Sequence, residues 1–362
     1  MIENAYIHIP FCRQKCYYCS FVSYTNIALK SNYINALVRQ IKEEYNNSKL
    51  KTIYFGGGTP SLLDISELQT ILKSLNFGSD SEVTLEANPE NLQADYLSKL
   101  LDIGVNRLSL GIQSLDDRTL NSIGRKHSSN EAIKAIKSAQ KVGFDNINID
   151  LIYGLPGQSN SLFVETLKRI AELNIQHVSL YGLKIDEDCF FAKKMPQELP
   201  NEDDQAEMYL YAIDFLTSRK FNHYEISNFS IEGFESRHNL NYWDNNTYYG
   251  FGAAASGYSK DTRYTNILNL KDYISDPFGK EIEYKVSPNE KLEEEIFLGL
   301  RKTSGININE INKKYNIDFE NKYNKIIDRF SSTNHLKKTD YGFKLSTEGI
   351  LLSNSILAEF LD

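Results

Sequence analysis

Short runs of apolar, β-branched and aromatic residues alternate with longer stretches of helical period through the first half of the chain. The short runs are Tyr6–Ile9, Thr52–Phe55, Val83–Ala87, Arg107–Leu110, Ile147–Ile152 and His177–Leu183. Their length and residue types predict strands. Between them, Asn32–Tyr45, Leu68–Leu75, Asp95–Ile103, Glu131–Val142 and Leu162–Leu173 place apolar residues every three or four positions, which predicts helices. Six such units predict an α/β fold with a parallel sheet, open or curved into a partial barrel. In either form a ligand is expected at the carboxyl ends of the strands, in the loops that follow.

The rhythm changes near Glu202. A helix is predicted over Asp203–Ser218, followed by an aromatic and Asn-rich region, Tyr224–Tyr264, with few helical signals. From Ser287 the pattern reads helix, helix, helix, hairpin, helix. The hairpin is Leu336–Thr339, a turn at Asp340–Gly342, and Phe343–Leu345. That outline is winged-helix-like, an α+β arrangement. The chain is therefore read in three parts: 1–220, a partial barrel; 221–286, the aromatic segment; and 287–362, a winged-helix-like domain.

Composition narrows the classes. A chain of 362 residues, 41% hydrophobic and 24% charged, is globular. A net charge of -8 argues against nucleic acid or an anionic membrane surface as a general partner, since both demand excess Lys/Arg. From Pro288 onward there are 11 Lys/Arg against 12 Asp/Glu, so the winged-helix-like end offers no cationic excess either. No apolar run approaches the ~18 residues of a membrane span, and no leader-like pattern opens the sequence. A cytoplasmic location is expected, with peripheral membrane contact left open.

Three of the four cysteines, Cys12, Cys16 and Cys19, lie within eight residues. Disulfides are disfavoured without an export signal. Structural zinc wants four closed ligands, but there is no second Cys pair, His8 lies back along a strand and Cys189 is remote. An iron–sulfur cluster held by three thiolates instead of the usual four leaves one iron open for chemistry.

Polar residues gather at the ends of the predicted strands. Gly56-Gly57-Gly58-Thr59-Pro60 follows the second, and its glycines permit close backbone approach. Glu86 ends the third, and Gln113 the fourth. Arg125 follows with a planar fork suited to a carboxylate. Asp150 is an acid in an apolar strand, costly unless bonded. Together they read as one site.

The Cys-x3-Cys-x2-Cys loop, with Tyr18 before its last Cys, resembles that of the radical S-adenosylmethionine (SAM) superfamily. The resemblance implies a 4Fe–4S cluster on Cys12, Cys16 and Cys19, with SAM chelating the open iron. It assigns SAM contacts to Gly57, Gly58, Thr59, Glu86, Gln113, Arg125 and Asp150, and weaker ones to Tyr6, Tyr18 and Gly182. It also implies the superfamily's partial (β/α)6 barrel.

Residues 5 to 360 further resemble the class that contains oxygen-independent coproporphyrinogen III oxidase and the HemW-type heme chaperones. Three features favour the chaperones. Phe21 stands where the oxidases carry a further Cys. The first cysteine is already residue 12, where the oxidases have a longer extension. His238-Asn-Leu-Asn-Tyr-Trp243 resembles an HNxxYW segment of the chaperones. The resemblance implies a heme carrier that passes heme to an acceptor protein such as a membrane respiratory enzyme, with His238 a candidate heme contact. The alternative it leaves is the oxidase, which decarboxylates porphyrinogen propionates to vinyl groups. Ser256 departs from the pattern, standing where a His is expected.

Overall fold

In the computed structural model, which describes residues 1–361, six parallel strands carry the first half of the chain. They are β1 (Asn4–Ile9), β2 (Leu50–Gly57), β3 (Phe77–Ala87), β4 (Arg107–Gln113), β5 (Ile147–Tyr153) and β6 (His177–Gly182). Helices α1 (Lys30–Glu44), α2 (Ile65–Leu72), α3 (Ala94–Asp102), α4 (Asp117–Ser122), α5 (Ser129–Val142) and α6 (Asn160–Ala171) lie in the connections. Every predicted strand and helix of this half is present, and each observed strand overlaps its predicted run. α4 was not predicted. It is a six-residue helix with only Thr119 and Leu120 buried, too short to show a period.

The strands explain the architecture by their alternation. One set of side chains is apolar and packs under the helices: Ile7, Ile53, Val83, Leu108, Ile149 and Val178 are fully buried in one core cluster. The intervening set is polar: Asn4, Thr52, Arg107, Asn148 and His177 are also buried. Successive side chains of a strand point to opposite faces, so the second set lines the concave side. A curved sheet with helices outside and a polar interior is the partial (β/α)6 barrel.

The next segment contains α7 (Phe190–Lys193), α8 (Glu202–Thr217), β7 (Asn222–Glu225), β8 (Asn228–Ser230), α9 (Arg237–Trp243), β9 (Tyr249–Phe251), β10 (Ser256–Ser259), β11 (Thr262–Asn266), α10 (Leu270–Ser275) and β12 (Lys280–Lys285). It continues the barrel at both edges, because the main sheet runs β7-β8-β6-β5-β4-β3-β2-β1-β9. The strands β10, β11 and β12 form a separate antiparallel sheet. α9 lies in the region read as poor in helix. Ser236 caps it by accepting from the Asn239 N–H, and His238 and Asn241 form its buried face.

The last part holds α11 (Pro288–Gly299), β13 (Ile306–Asn307), α12 (Ile308–Tyr315), α13 (Phe319–Lys322), α14 (Asn324–Ser332), β14 (Leu336–Lys338), β15 (Gly342–Leu345), α15 (Thr347–Leu351) and α16 (Ser353–Ala358). It has its own core around Phe319, Ile296 and Leu357. The expected hairpin is β14–β15, and β13 adds a third strand to it. No helix among the described residues is long and apolar enough to cross a membrane.

Candidate functional site

The cysteine loop leaves the end of β1 and folds back on itself. The Cys12 N–H donates to the Tyr24 carbonyl (3.0 Å), and the Tyr24 N–H donates to the Pro10 carbonyl (2.7 Å). A tight turn joins the other two cysteines, with the Cys19 N–H donating to the Cys16 carbonyl at 3.2 Å. The glycine turn is tied to this loop. The Gly58 N–H donates to the Ile9 carbonyl (2.9 Å) and the Thr59 N–H to the Phe11 carbonyl (2.7 Å). Gly58 must be glycine, since a Cβ there would lie 2.6 Å from the Phe11 carbonyl oxygen.

The two loops and the strand ends enclose a cavity of ≈ 370 Å³. Its wall brings together Cys12, Cys16 and Cys19 with Tyr18, Gly57, Gly58, Thr59, Glu86, Gln113, Arg125, Asp150 and Gly182. Strand register produces this convergence, pairing Glu86 with Ser109, Gly111 with Asp150 and Tyr153 with Gly182. Gln113 breaks the β4 ladder at φ +67 and turns the chain toward α4. Tyr6 and His238, two other residues singled out by sequence, are not on the wall.

Arg125 is buried and central. Its Nη2 donates to Asn88 Oδ1 (2.7 Å) and to the Gly111 carbonyl, and its Nη1 lies 3.6 Å from Cys16 Sγ. Its Nε–H has no partner. Cys12 Sγ accepts from the Thr59 hydroxyl at 3.5 Å. Burial pushes the Cys19 thiol up to about 11 and raises that of Cys12. A bound cation would offset the lost solvation and favour the thiolates. Among the described residues no group of three or more His, Cys, Asp or Glu side chains is placed to hold a single metal ion. The three thiols line the same cavity.

Two carboxyl groups stand opposite. Glu86 accepts from Tyr54 Oη at 2.8 Å and from the Gly57 N–H at 3.2 Å. Burial, then Asp150, pushes it up to about 7. Asp150 accepts from Asn148 Nδ2 at 2.7 Å and lies within 3.4 Å of the Ser109 hydroxyl, and burial raises its pKa as well. One cavity wall thus holds a cation, Arg125, two carboxyls, Glu86 and Asp150, and the Gly57–Thr59 backbone turn. A zwitterionic amino acid with a cationic sulfur matches that distribution of charge.

Two contributors were not singled out by sequence. Tyr54 supports Glu86 and lines the cavity. Asn88 donates to Thr59 Oγ1 (3.1 Å) while accepting from Arg125. Tyr54 lies on β2, on the same face as Thr52, and Asn88 directly follows β3, but neither residue type marks a site by itself.

His238 sits elsewhere. Thr52 Oγ1, early in β2, lies 2.7 Å from its Nδ1, and its backbone N–H donates to Oε1 of Glu82 (3.1 Å), which pairs with Thr52 from β3. This is the amino end of the strands, across the barrel from the cysteines. Thr52 Oγ1 also bonds Asn4 Oδ1 (2.8 Å), and His238 Nε2 lies 2.7 Å from Tyr242 Oη, so both ring nitrogens are engaged. Burial, with Arg107 nearby, lowers its pKa to about 3, so the ring is neutral. Ser256 is exposed on β10, its hydroxyl 2.9 Å from that of Thr265. Cys189 is buried, in a cluster with Ile123 and Phe191.

Comparison with known proteins agrees with this construction. Residues 6–170 match the family model of the Radical SAM superfamily, and residues 286–352 match the HemN C-terminal domain. Heme chaperone HemW of Lactococcus lactis subsp. lactis is 38% identical over 371 residues, 99% of this chain and 97% of that protein. Heme chaperone HemW of Bacillus subtilis is 35% identical over 379 residues, 99% of each. Coproporphyrinogen III oxidase (HemN) from Escherichia coli, a radical SAM enzyme of solved structure, superimposes with a TM-score of 0.88 over 99% of this chain and 89% of its own. At 23% identity that likeness speaks for the fold alone.

Proposed function

The chain belongs to the HemW family of the radical SAM superfamily, and from that premise we propose that it is a heme chaperone, binding heme and passing it to an acceptor protein. The superfamily implies a 4Fe–4S cluster and SAM as cofactors. The observation that carries the chaperone reading is near-complete alignment with proteins of that name at 35 and 38% identity. Phe21, exposed at the cavity rim in place of a further cysteine, supports the carrier over the oxidase.

The residues fit the cofactors. Cys12, Cys16 and Cys19 would hold the cluster, which when bound supplies one-electron reduction of the sulfonium. The Arg125 fork would bind a carboxylate, the Gly57–Thr59 turn would approach the amino end closely, and Glu86 and Asp150 would accept from amino and hydroxyl groups. Gln113, Tyr18 and Gly182 complete the wall. Tyr6 acts from behind it, through Tyr54 and His8. The proposed location is the cytoplasm, and an acceptor such as a membrane respiratory enzyme would be met at the membrane surface.

The test is an anaerobic heme titration of the cluster-reconstituted protein, followed by the Soret band. Saturable one-to-one binding is expected. Absence of saturable binding overturns the chaperone reading and turns attention to coproporphyrinogen turnover with SAM and a reductant.

A further inference from the structure

Four rings climb the inside of β1 and β2 from the lower mouth of the barrel to the cysteine loop. The His238 ring stacks on Tyr54 with centroids 5.2 Å apart and planes 26° apart. Tyr54 stacks on Tyr6 at 6.2 Å and 25°. The Tyr6 hydroxyl lies 3.1 Å from His8 Nδ1, and His8 Nε2 lies 3.0 Å from the Val22 carbonyl oxygen. A carbonyl only accepts, so His8 Nε2 carries the proton and Nδ1 accepts from Tyr6. Val22 is three residues past Cys19. The His8 ring also fills the space beside Gly57, where a Cβ would lie 2.5 Å from its Cε1.

We propose that His238 is a positioning residue for the SAM-binding wall, acting through Tyr54, and is not an iron ligand. The inference rests on the reading that the cavity binds SAM. Tyr54 carries the only side-chain hydrogen bond to Glu86 among the described residues, and Glu86 in turn accepts from the Gly57 N–H. The plane of the Tyr54 ring therefore sets where that carboxyl points. His238 supports the ring on one side and Tyr6 on the other. His238 is itself held by Thr52, Tyr242 and Glu82, so its orientation is fixed before any ligand arrives. The same bonds remove it as an iron ligand. Both ring nitrogens are already engaged, Nδ1 with the Thr52 hydroxyl and Nε2 with that of Tyr242. α9 thus acts as a plug whose buried face tunes the opposite mouth.

The experiment measures SAM affinity by calorimetry on the cluster-reconstituted protein, with a heme titration on the same samples. Tyr54→Phe removes only the hydroxyl and should weaken SAM binding about tenfold, as expected for a hydrogen bond to a charged group. His238→Gln keeps hydrogen-bonding groups but loses the ring, and should weaken SAM several-fold. The double variant should be no weaker than Tyr54→Phe alone, because residues acting in series are not additive. Tyr242→Phe, which frees the His238 ring without changing volume, should weaken SAM in the same direction. The heme Soret position and stoichiometry should be unchanged in His238→Gln.

Wild-type SAM affinity in both His238→Gln and Tyr242→Phe overturns the inference. So does a double variant showing the product of the single losses, or a Soret shift lost in His238→Gln. If the wild-type protein binds no SAM, the reading of the cavity itself fails, an outcome the variants cannot mimic.

Discussion

At the scale of single residues, the site depends on a few positions where one atom too many would be felt by backbone. Gly58 is the sharpest. A methyl group there meets the Phe11 carbonyl oxygen at 2.6 Å, the Ile9 carbonyl oxygen at 2.9 Å and the Phe11 nitrogen at 2.9 Å. None of these is the end of a flexible side chain, so the turn or the cysteine loop must move. Gly58→Ala should cost about 1–3 kcal/mol of local packing and lower the iron retained after reconstitution, read by iron analysis and visible absorbance. Iron content equal to wild type would show that the loop does not need this contact. The residue types that carry chemistry were legible because thiols, glycines and carboxyls at strand ends are rare for any other reason. Tyr54 and Asn88 were not, because a Tyr in a strand and an Asn before a Pro are ordinary in a core or a turn. Their roles come from hydrogen bonds to neighbours 32 and 37 residues away.

At the scale of elements, what could be read was what had length. The strands β1 to β6 and the long helices carry runs that fill a period, and their ends are signalled by caps. Capping boxes stand at α2 (Asp64 and Glu67), α5 (Ser128 and Glu131) and α11 (Ser287 and Glu290). The strands β7, β8, β9 and β13 have two to four residues and α9 barely two turns, and without a turn signal such as the Asp340–Gly342 one that marks β14 and β15 they were not separable from loop. Tertiary contacts fix them instead. β9 exists because β1 offers it a free edge, and α9 because the barrel mouth offers Glu82 and Thr52. α11 lets the capping argument be tested in isolation. Ser287 accepts from the Glu290 N–H at 3.3 Å, and Glu290 accepts from the Ser287 N–H at 2.7 Å. Ser287→Ala should destabilise the C-terminal domain by about 1 kcal/mol, read as a lower urea midpoint with an unchanged slope. An unchanged midpoint would mean that Pro288 and the packing of α11 suffice to start the helix.

At the scale of the whole molecule, the C-terminal domain docks on the barrel by backbone. The Ile226 N–H donates to the Arg301 carbonyl (3.0 Å), and the Thr303 N–H donates to the Tyr224 carbonyl (3.1 Å). Ion pairs of Arg263 with Glu294 and of Lys302 with Asp244 flank this seam. Glu225 lies between the two backbone contacts and is fully buried. It accepts from the Ser227 N–H at 3.0 Å and from Asn228 Nδ2. Burial pushes its carboxyl up to about 7, against those hydrogen bonds and the field of Arg301. An acid whose folded pKa lies above its unfolded value of ~4.3 binds more protons when folded. Its contribution to stability is complete below about pH 4 and is lost as pH rises through 7. At ~1.4 kcal/mol per unit, the swing is about 4 kcal/mol. Glu225→Gln keeps the shape and an acceptor oxygen, and cannot ionise. It should therefore be more stable than wild type at pH 8, with the advantage shrinking to nothing near pH 4. Urea unfolding of both proteins from pH 4 to 8 measures this. A difference that stays constant with pH would mean that Glu225 is ionised throughout and that Arg301 compensates its charge across the seam.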